Sequence, residues 1–455
     1  MKVLITGSTG LVGKELGKKL VMEGHSLVVL VRNPEKAKLD LPFPAEIFKW
    51  YGQKDLPPVE ALKGVEAVIH LAGESIASDR WTEKRKKQIY DSRILSTRSL
   101  AEAINKTASV KTFVSASAIG IYGNTGNELI SETHAQGKDF LANVCQNWEF
   151  ETERVDTRVR VVNLRIGVVL SRQGGALEKL IPLFSAGLGG VIGNGSQWMS
   201  WIHIQDLVNL CSFSLTQESI RGPYNAVASS PVTNKIFSQC LAKALGRSLF
   251  FPVPSLVMKI AMGDMSIIVL ASQNVNSQKI TDAGFKFTYP QIEGAFDEIC
   301  SPIHNGQREY LAEQWVPHTS KEIFPFFCNE KNLEKLTPDF LNFKVLKKST
   351  NEIQEGTLIE YQLKLHGIPL KWKSKIGKWE PGSSFVDDQV AGPYKRWNHT
   401  HEFIPMSSGT LMRDRVSYTL PLGRIGDLLL SWKLVKDVNR IFSYRRKVIS
   451  SLFAS

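Results

Sequence analysis

Two regimes of apolar and polar positions follow one another along the chain. In the first, short apolar runs alternate with stretches of helical period. Residues 3–5, 25–31, 66–71, 111–115 and 160–166 are nearly continuous runs of apolar and β-branched side chains, the pattern of strands covered on both faces of a parallel sheet. Between them, residues 14–21, 80–105 and 139–154 place apolar side chains at helical spacing. Strands alternating with helices predict an α/β Rossmann-type fold with a doubly wound parallel sheet. In the second regime, residues 310–316, 343–346, 358–365, 370–379, 385–390, 398–403 and 410–420 read as strands joined by turns. Residues 321–327 and 331–336 read as short helices. The chain then shows a long amphipathic helix marked by Ile425, Leu428, Leu429, Trp432, Val435, Phe442, Ile449 and Leu452. This order predicts an α+β domain whose antiparallel sheet needs that helix as a partner. The polar break Ser301-Pro302-Ile303-His304-Asn305-Gly306 separates domains at 1–300 and 307–455, with a substrate lobe mainly in 170–298.

Length agrees with that division, since 455 residues exceed one ordinary core. The net charge of +12 comes from scattered basic residues interleaved with acidic ones, which reads as a solvated surface and gives no nucleic-acid partner. Lys433, Lys436, Arg440, Arg445, Arg446 and Lys447 beside the apolar stripe of the last helix allow weak membrane-surface contact, but core packing is the preferred reading. Cys145, Cys211, Cys240, Cys300 and Cys328 are widely spaced. They support neither a metal site nor a disulfide framework, and they suit a reducing, cytoplasmic compartment. Met1 and Lys2 run straight into the first strand, so no signal peptide is expected. No apolar stretch reaches about 20 residues, so no transmembrane helix is expected.

The candidate chemistry begins at the first turn. Gly7, Gly10 and Gly13 follow the strand at three-residue steps and open a helix. That is the front of a dinucleotide-binding βαβ unit, with Thr9, Leu11 and Val12 in the same loop. Gly7 permits a tight turn, Gly10 lets backbone approach a pyrophosphate, and Gly13 lets helix and strand pack closely. The second strand ends in Val31 and Arg32. An acid there would bond the ribose 2′-OH of NAD, whereas Arg32 suits the 2′-phosphate of NADP. NADP is therefore the expected cofactor, with NAD the less favoured alternative.

Further stretches carry a family resemblance: Leu71-Ala72-Gly73-Glu74, Arg80-Trp81 with Asp91-Ser92-Arg93, Ser115-Ala116-Ser117-Ala118, Gly187-Leu188-Gly189-Gly190, Trp198-Met199-Ser200-Trp201-Ile202-His203 and Ala244-Leu245-Gly246-Arg247. With the glycine loop, they make the first 298 residues resemble the extended short-chain dehydrogenases/reductases, within the atypical epimerase-like subgroup. The resemblance implies a cofactor lying along the glycine loop, Val31, Arg32, Leu71, Ala72 and Gly73, with contacts from Gln88, Arg93, Ser115 and Arg165. Ordinary members use a Ser, a Tyr and a Lys. Aligned through Trp148 and Glu149, this chain has Leu141 at the Tyr position and Cys145 at the Lys position. Neither supplies the acid or the cation.

Ser117 and Tyr122 remain the catalytic candidates. The first has an alternative as a strand-end hydroxyl, the second as a packed aromatic. Trp198 and His203 are candidate substrate contacts, against core packing for the tryptophan and a satisfied structural imidazole for the histidine. In the second domain the element order, with Gly392-Pro393-Tyr394-Lys395-Arg396-Trp397, resembles the SRPBCC or START-like helix-grip family. That resemblance implies an apolar ligand between sheet and last helix. The expectation is an NADP(H)-dependent oxidoreductase or epimerase acting on an unidentified small molecule. The rival is a cofactor-binding sensor or lipid- or quinone-handling protein without turnover.

Overall fold

The structure is a computed structural model that describes residues 1–455 apart from Lys54, Phe250, Phe251, residues 304–306, His366, Pro421, Leu422, Ala454, Ser455 and the side chains of residues 423–433. Part of the expected linker therefore lies outside the described residues. So do the side chains of Ile425, Leu428, Leu429, Trp432 and Lys433. The described residues form two compact units, Met1–Ala37 with Ala45–Ser301, and Lys38–Pro44 with Pro302–Ser455.

The first unit is built on a seven-stranded parallel sheet. Its strands are β1 (Lys2–Thr6), β2 (Ser26–Val31), β3 (Glu46–Lys49), β4 (Ala67–His70), β5 (Thr112–Ala118), β6 (Arg160–Ile166) and β7 (Gly222–Ala226). The spatial order is β7-β6-β5-β4-β1-β2-β3. Val3, Leu4, Ile5, Val28, Val29, Val68 and Ile69 are fully buried, as expected of strands covered on both faces. The order reverses beside β1, which lies between β2 and β4. In such sheets the crevice at the reversal, outside the carboxyl ends of the strands, takes the ligand.

Three helices frame that crevice. Helix α1 (Leu11–Met22) starts directly after the glycine loop. Helix α2 (Glu83–Asn105) is capped by Thr82, whose side chain accepts from the Arg85 N–H. Helix α3 (Phe140–Thr152) is capped in the same way by Asp139 on Ala142. These caps satisfy N–H groups that a helix start leaves open. The hydrophobic pattern did not reveal β3 and β7. Strand β3 is short and only partly covered, and β7 opens with Gly222 and Pro223, residues tolerated at a sheet edge but not typical of a strand.

The second unit is a seven-stranded antiparallel sheet: β8 (Arg308–Val316), β9 (Lys344–Lys348), β10 (Leu358–Leu365), β11 (Ile368–Glu380), β12 (Ser384–Ala391), β13 (Arg396–Met406) and β14 (Gly409–Thr419), in the order β8-β14-β13-β12-β11-β10-β9. With it go α5 (Ser320–Phe327), α6 (Lys331–Leu336) and the terminal α7 (Gly423–Leu452). Val438, Phe442, Arg445 and Ile449 are buried at helical spacing on α7. That face packs against apolar clusters holding Phe403, Met412, Val416 and Tyr418. Arg445, one of the cations beside the apolar stripe of this helix, is only 8% exposed. A cavity of about 180 Å³ remains in this unit, lined by Leu336, Leu363, Trp372, Trp397, Val438 and Phe442 among others. Among the described residues, no helix is long and apolar enough to cross a membrane.

Candidate functional site

Parallel register brings the carboxyl ends of three strands together: Thr6 lies beside Leu30 of β2 and His70 of β4. The next residues of each strand, Gly7, Val31-Arg32 and Leu71-Ala72, therefore share one edge. Gly7 has φ +73°, a conformation that a side chain strains. The Gly10 N–H donates to Gly7 O at 3.0 Å. A Cβ on Gly13 would lie 2.2 Å from Gly7 O, and one on Gly7 would lie 2.7 Å from the Leu71 carbonyl carbon. Both glycines are thus required by backbone contact. Thr9 and Gly10 are exposed, and Leu11, Val12, Leu71 and Ala72 are partly exposed, so the loop is open to a ligand.

The residues present fit a dinucleotide. Gly10 caps α1 without any side-chain hydrogen bond, which leaves the first-turn N–H groups for an anion. Within the loop, Ser8 Oγ is buried without a hydrogen-bond partner. Thr6 Oγ1 holds the far side by accepting from the Ala72 N–H at 3.3 Å and meeting His70 Nδ1 at 2.6 Å. Burial, with the charge of Arg93 adding, pushes the His70 imidazole down to about 3. Arg32 is exposed at the end of β2, and its Nη1 donates to Glu74 Oε1 at 2.8 Å. Arg85 Nη1 stands 3.5 Å from the other Glu74 oxygen and 3.3 Å from Gln88 Oε1, to which it donates. Gln88 thus lies exposed beside Arg85. Arg93 donates to the carbonyls of Glu74 and Ile89, and the missing Cβ of Gly73 makes room for its guanidinium.

The catalytic candidates lie in a closed polar network. Ser117 Oγ donates to Glu149 Oε1 at 2.6 Å. The same carboxylate is gripped by Arg165, Nε to Oε1 at 2.9 Å and Nη2 to Oε2 at 2.8 Å. Arg165 Nη1 donates to Tyr122 Oη at 3.0 Å and to the Glu132 carbonyl at 2.9 Å. Tyr122 Oη donates to Asn225 Oδ1 at 2.6 Å. Each nitrogen of the buried Arg165 guanidinium thus faces a protein acceptor. The guanidinium that the resemblance places among the cofactor contacts is thus held at the end of β6 by α3 and its Glu149. Tyr122 is buried, and burial, partly offset by Arg165, pushes its phenol up to about 12. It holds its proton at neutral pH. Ser115 is fully buried and donates to the Ala116 carbonyl. Sequence reasoning missed Glu149, since an acid on an amphipathic helix reads as solvated. Its one-turn spacing from Cys145 was the available signal.

Leu141 and Cys145 both face Gly120, just beyond β5: a Cβ there would lie 3.4 Å from Leu141 Cβ and 3.8 Å from Cys145 Sγ. Burial pushes the Cys145 thiol up to about 12, so no thiolate forms. The remaining candidates separate. Trp198 is half-buried in a two-residue strand paired with Val232–Thr233. Its neighbour Trp201 is a fully buried core residue. His203 caps helix α4 (Ile204–Thr216), its Nδ1 accepting from the Gln205 N–H, while Nε2 lies 3.2 Å from Glu298 Oε2. Both ring nitrogens are engaged, the arrangement of the alternative reading, a satisfied structural imidazole.

Comparison with known proteins follows this geometry. The model of the NAD dependent epimerase/dehydratase family matches residues 3–226, and a domain of unknown function, DUF1731, matches residues 253–299. An epimerase family protein SDR39U1 homolog, chloroplastic, of Arabidopsis thaliana is 37% identical over 311 residues, covering 66% of this chain and 86% of that protein. The epimerase family protein YfhF of Bacillus subtilis is 34% identical, covering 66% and 98%. The crystal structure of human epimerase family protein SDR39U1 with NADPH is 32% identical, with a TM-score of 0.60 over 66% of this chain and 99% of that one. The chain therefore belongs to the NAD-dependent epimerase/dehydratase family.

Proposed function

We propose that this chain binds NADP(H) along its glycine loop and acts as an oxidoreductase or epimerase on an unidentified small molecule, while its second unit holds an apolar ligand. The observation that carries the reading is the backbone cradle of Gly7, Gly10 and Gly13, which side chains would fill. The NADPH of the human relative supports the choice of nucleotide. First-turn N–H groups of α1 meet the pyrophosphate. Arg32, with Arg85 beside it, meets the 2′-phosphate by charge-assisted hydrogen bonds. The bound nicotinamide supplies or accepts a hydride. Leu141 and Cys145 leave the ordinary Tyr–Lys proton route without its groups. In this reading Ser117 and Tyr122 hold the Glu149–Arg165 pair in place and shape the floor of the site, and Trp198 lines the substrate side. The second unit has the element order of a helix grip, and its cavity supports the apolar ligand. The two units fold separately, at 1–300 and 307–455, in a reducing compartment such as the cytoplasm.

A second reading, a nucleotide-binding sensor without turnover, is favoured by the engagement of Ser117 and Tyr122 within the network. NADPH absorbance followed across ketones, quinones and nucleotide sugars tests both. Oxidation with any of them supports the enzyme. Nucleotide binding without oxidation supports the sensor, and no binding overturns both.

A further inference from the structure

Strand alternation in the second unit draws a polar stripe across a face that is otherwise apolar. Asp387 of β12 pairs directly with His399 of β13, and His401 of β13 pairs with Asp414 of β14. His399, His401 and Asp414 are all buried. Asp414 Oδ1 lies 2.7 Å from His401 Nδ1, 3.1 Å from His399 Nε2 and 3.4 Å from Arg445 Nη2. The ligand atoms of the two histidines and Asp414 are close enough to share a cation. The Arg445 guanidinium, however, stands 3.4 Å from both Asp414 and His401. It already supplies the positive charge that a metal would bring.

His399, Asp387 and Arg445 also line the apolar cavity. Three residues of that lining each keep a buried polar atom without a hydrogen-bond partner: Arg445 Nε, Asp387 Oδ1 and Trp372 Nε1. Native folds leave few such atoms, and each calls for an explanation. Two of the three are N–H donors. Asp387 lies with them, its pKa raised by burial against the lowering effects of Ser374 and His399. Arg445 and Asp414 cancel in charge, and burial pushes His401 down to about 3, which keeps it neutral. A neutral acceptor oxygen is the complement of this end. The rest of the wall is aromatic. Trp372 stacks on Tyr361 with centroids 5.9 Å apart, meets Trp397 edge-on at 5.3 Å, and Tyr394 lies 4.7 Å from Trp397.

We propose that this cavity binds an apolar carbonyl compound, its oxygen accepting hydrogen bonds from Arg445 Nε and the Asp387 carboxyl and its body lying against Trp372, Trp397, Leu363 and Leu370. The proposal rests on the reading of the second unit as ligand-binding, and it does not depend on the nucleotide.

The test uses the full chain and three probes of one carbon skeleton: butyrophenone, butylbenzene and 4-phenylbutylamine, titrated by calorimetry. Butyrophenone binds at least about tenfold more tightly than butylbenzene, the worth of a buried hydrogen bond, and the amine binds most weakly. Asp387→Leu removes that preference without weakening butylbenzene, and Asp387→Asn, which keeps a donor, restores it. Leu370→Trp fills the cavity and abolishes binding of all three, which locates the site should Asp387→Leu fail to fold. Equal affinity for butyrophenone and butylbenzene overturns the carbonyl assignment but leaves an apolar site. Strongest binding by the amine overturns it in favour of an aromatic cage for cations. A stoichiometric metal in the purified chain overturns it in favour of the histidine–aspartate cluster. If none of the three probes binds, the ligand-binding reading of the unit itself falls.

Discussion

Arg32 at the end of β2 and Glu74 after β4 form an ion pair at 2.8 Å, with Arg85 on the far side of the same carboxylate. The pair sets two nucleotide preferences against each other. Arg32 favours a 2′-phosphate, whereas a carboxylate favours a free ribose 2′-OH. In the proposed reading the phosphate of NADP replaces the carboxylate as the partner of two guanidiniums. Glu74→Gln is therefore expected to raise NADPH affinity several-fold with little change for NADH. Fluorescence titration of both nucleotides checks this, and a loss of NADPH affinity would show that Glu74 positions Arg32 instead of competing for it.

The glycine cradle gives a sharper outcome. A Cβ at Gly13 would stand 2.2 Å from Gly7 O, and backbone cannot yield as a side chain does. Gly13→Ala is expected to weaken NADPH binding by more than about tenfold and to destabilise the first unit by roughly 1–3 kcal/mol, the usual range for overpacking. Unchanged binding would mean that the nucleotide does not rest on this loop.

Glu149 anchors Arg165, Ser117 and, through the arginine, Tyr122. Removing one partner of a buried pair strands the other charge, at a cost of about 3–5 kcal/mol. Glu149→Ala should lower stability by that amount in urea unfolding. Cys145→Ala, which removes no hydrogen bond of this network, should leave any measured turnover within a few-fold. A thousandfold loss in the cysteine variant would make Cys145 a member of the catalytic machinery.

The buried His70 gives a pH dependence with a definite sign. Its folded pKa is pushed from 6.5 down to about 3. Below 6.5 the unfolded chain takes up a proton that the folded chain refuses. Stability is therefore lost as pH falls from 6.5 towards 3, at up to about 1.4 kcal/mol per pH unit. Unfolding free energies at pH 7 and 5 should differ more in the parent chain than in His70→Gln. Identical slopes would mean that His70 is solvated.

The legibility of these features follows from how far each depends on distant residues. Strands β1, β2 and β4 and the start of α1 are local patterns: apolar runs, then glycines at fixed steps. The second unit was readable for the same reason, since its longer strands alternate over most of their length. The Ser117–Glu149–Arg165–Tyr122–Asn225 network was not readable, because its members come from five elements and Glu149 looks like any surface acid on a helix. Arg32 was legible as a cation at the end of a strand, but its partner Glu74 lies 42 positions away. The stripe of Asp387, His399, His401 and Asp414 left one sequence signal. His399 and His401 sit two residues apart on one face of β13, where the pattern otherwise places apolar side chains.

The central claim is that this chain is an NADP(H)-binding protein. Titration of the full chain with NADPH and with NADH, alongside Arg32→Asp, tests it most directly. The account predicts saturable binding with NADPH favoured by at least about tenfold, the scale of a charge-assisted hydrogen bond, and a preference lost or reversed in Arg32→Asp. Equal affinity for the two nucleotides in the parent chain, or binding of neither, would contradict it.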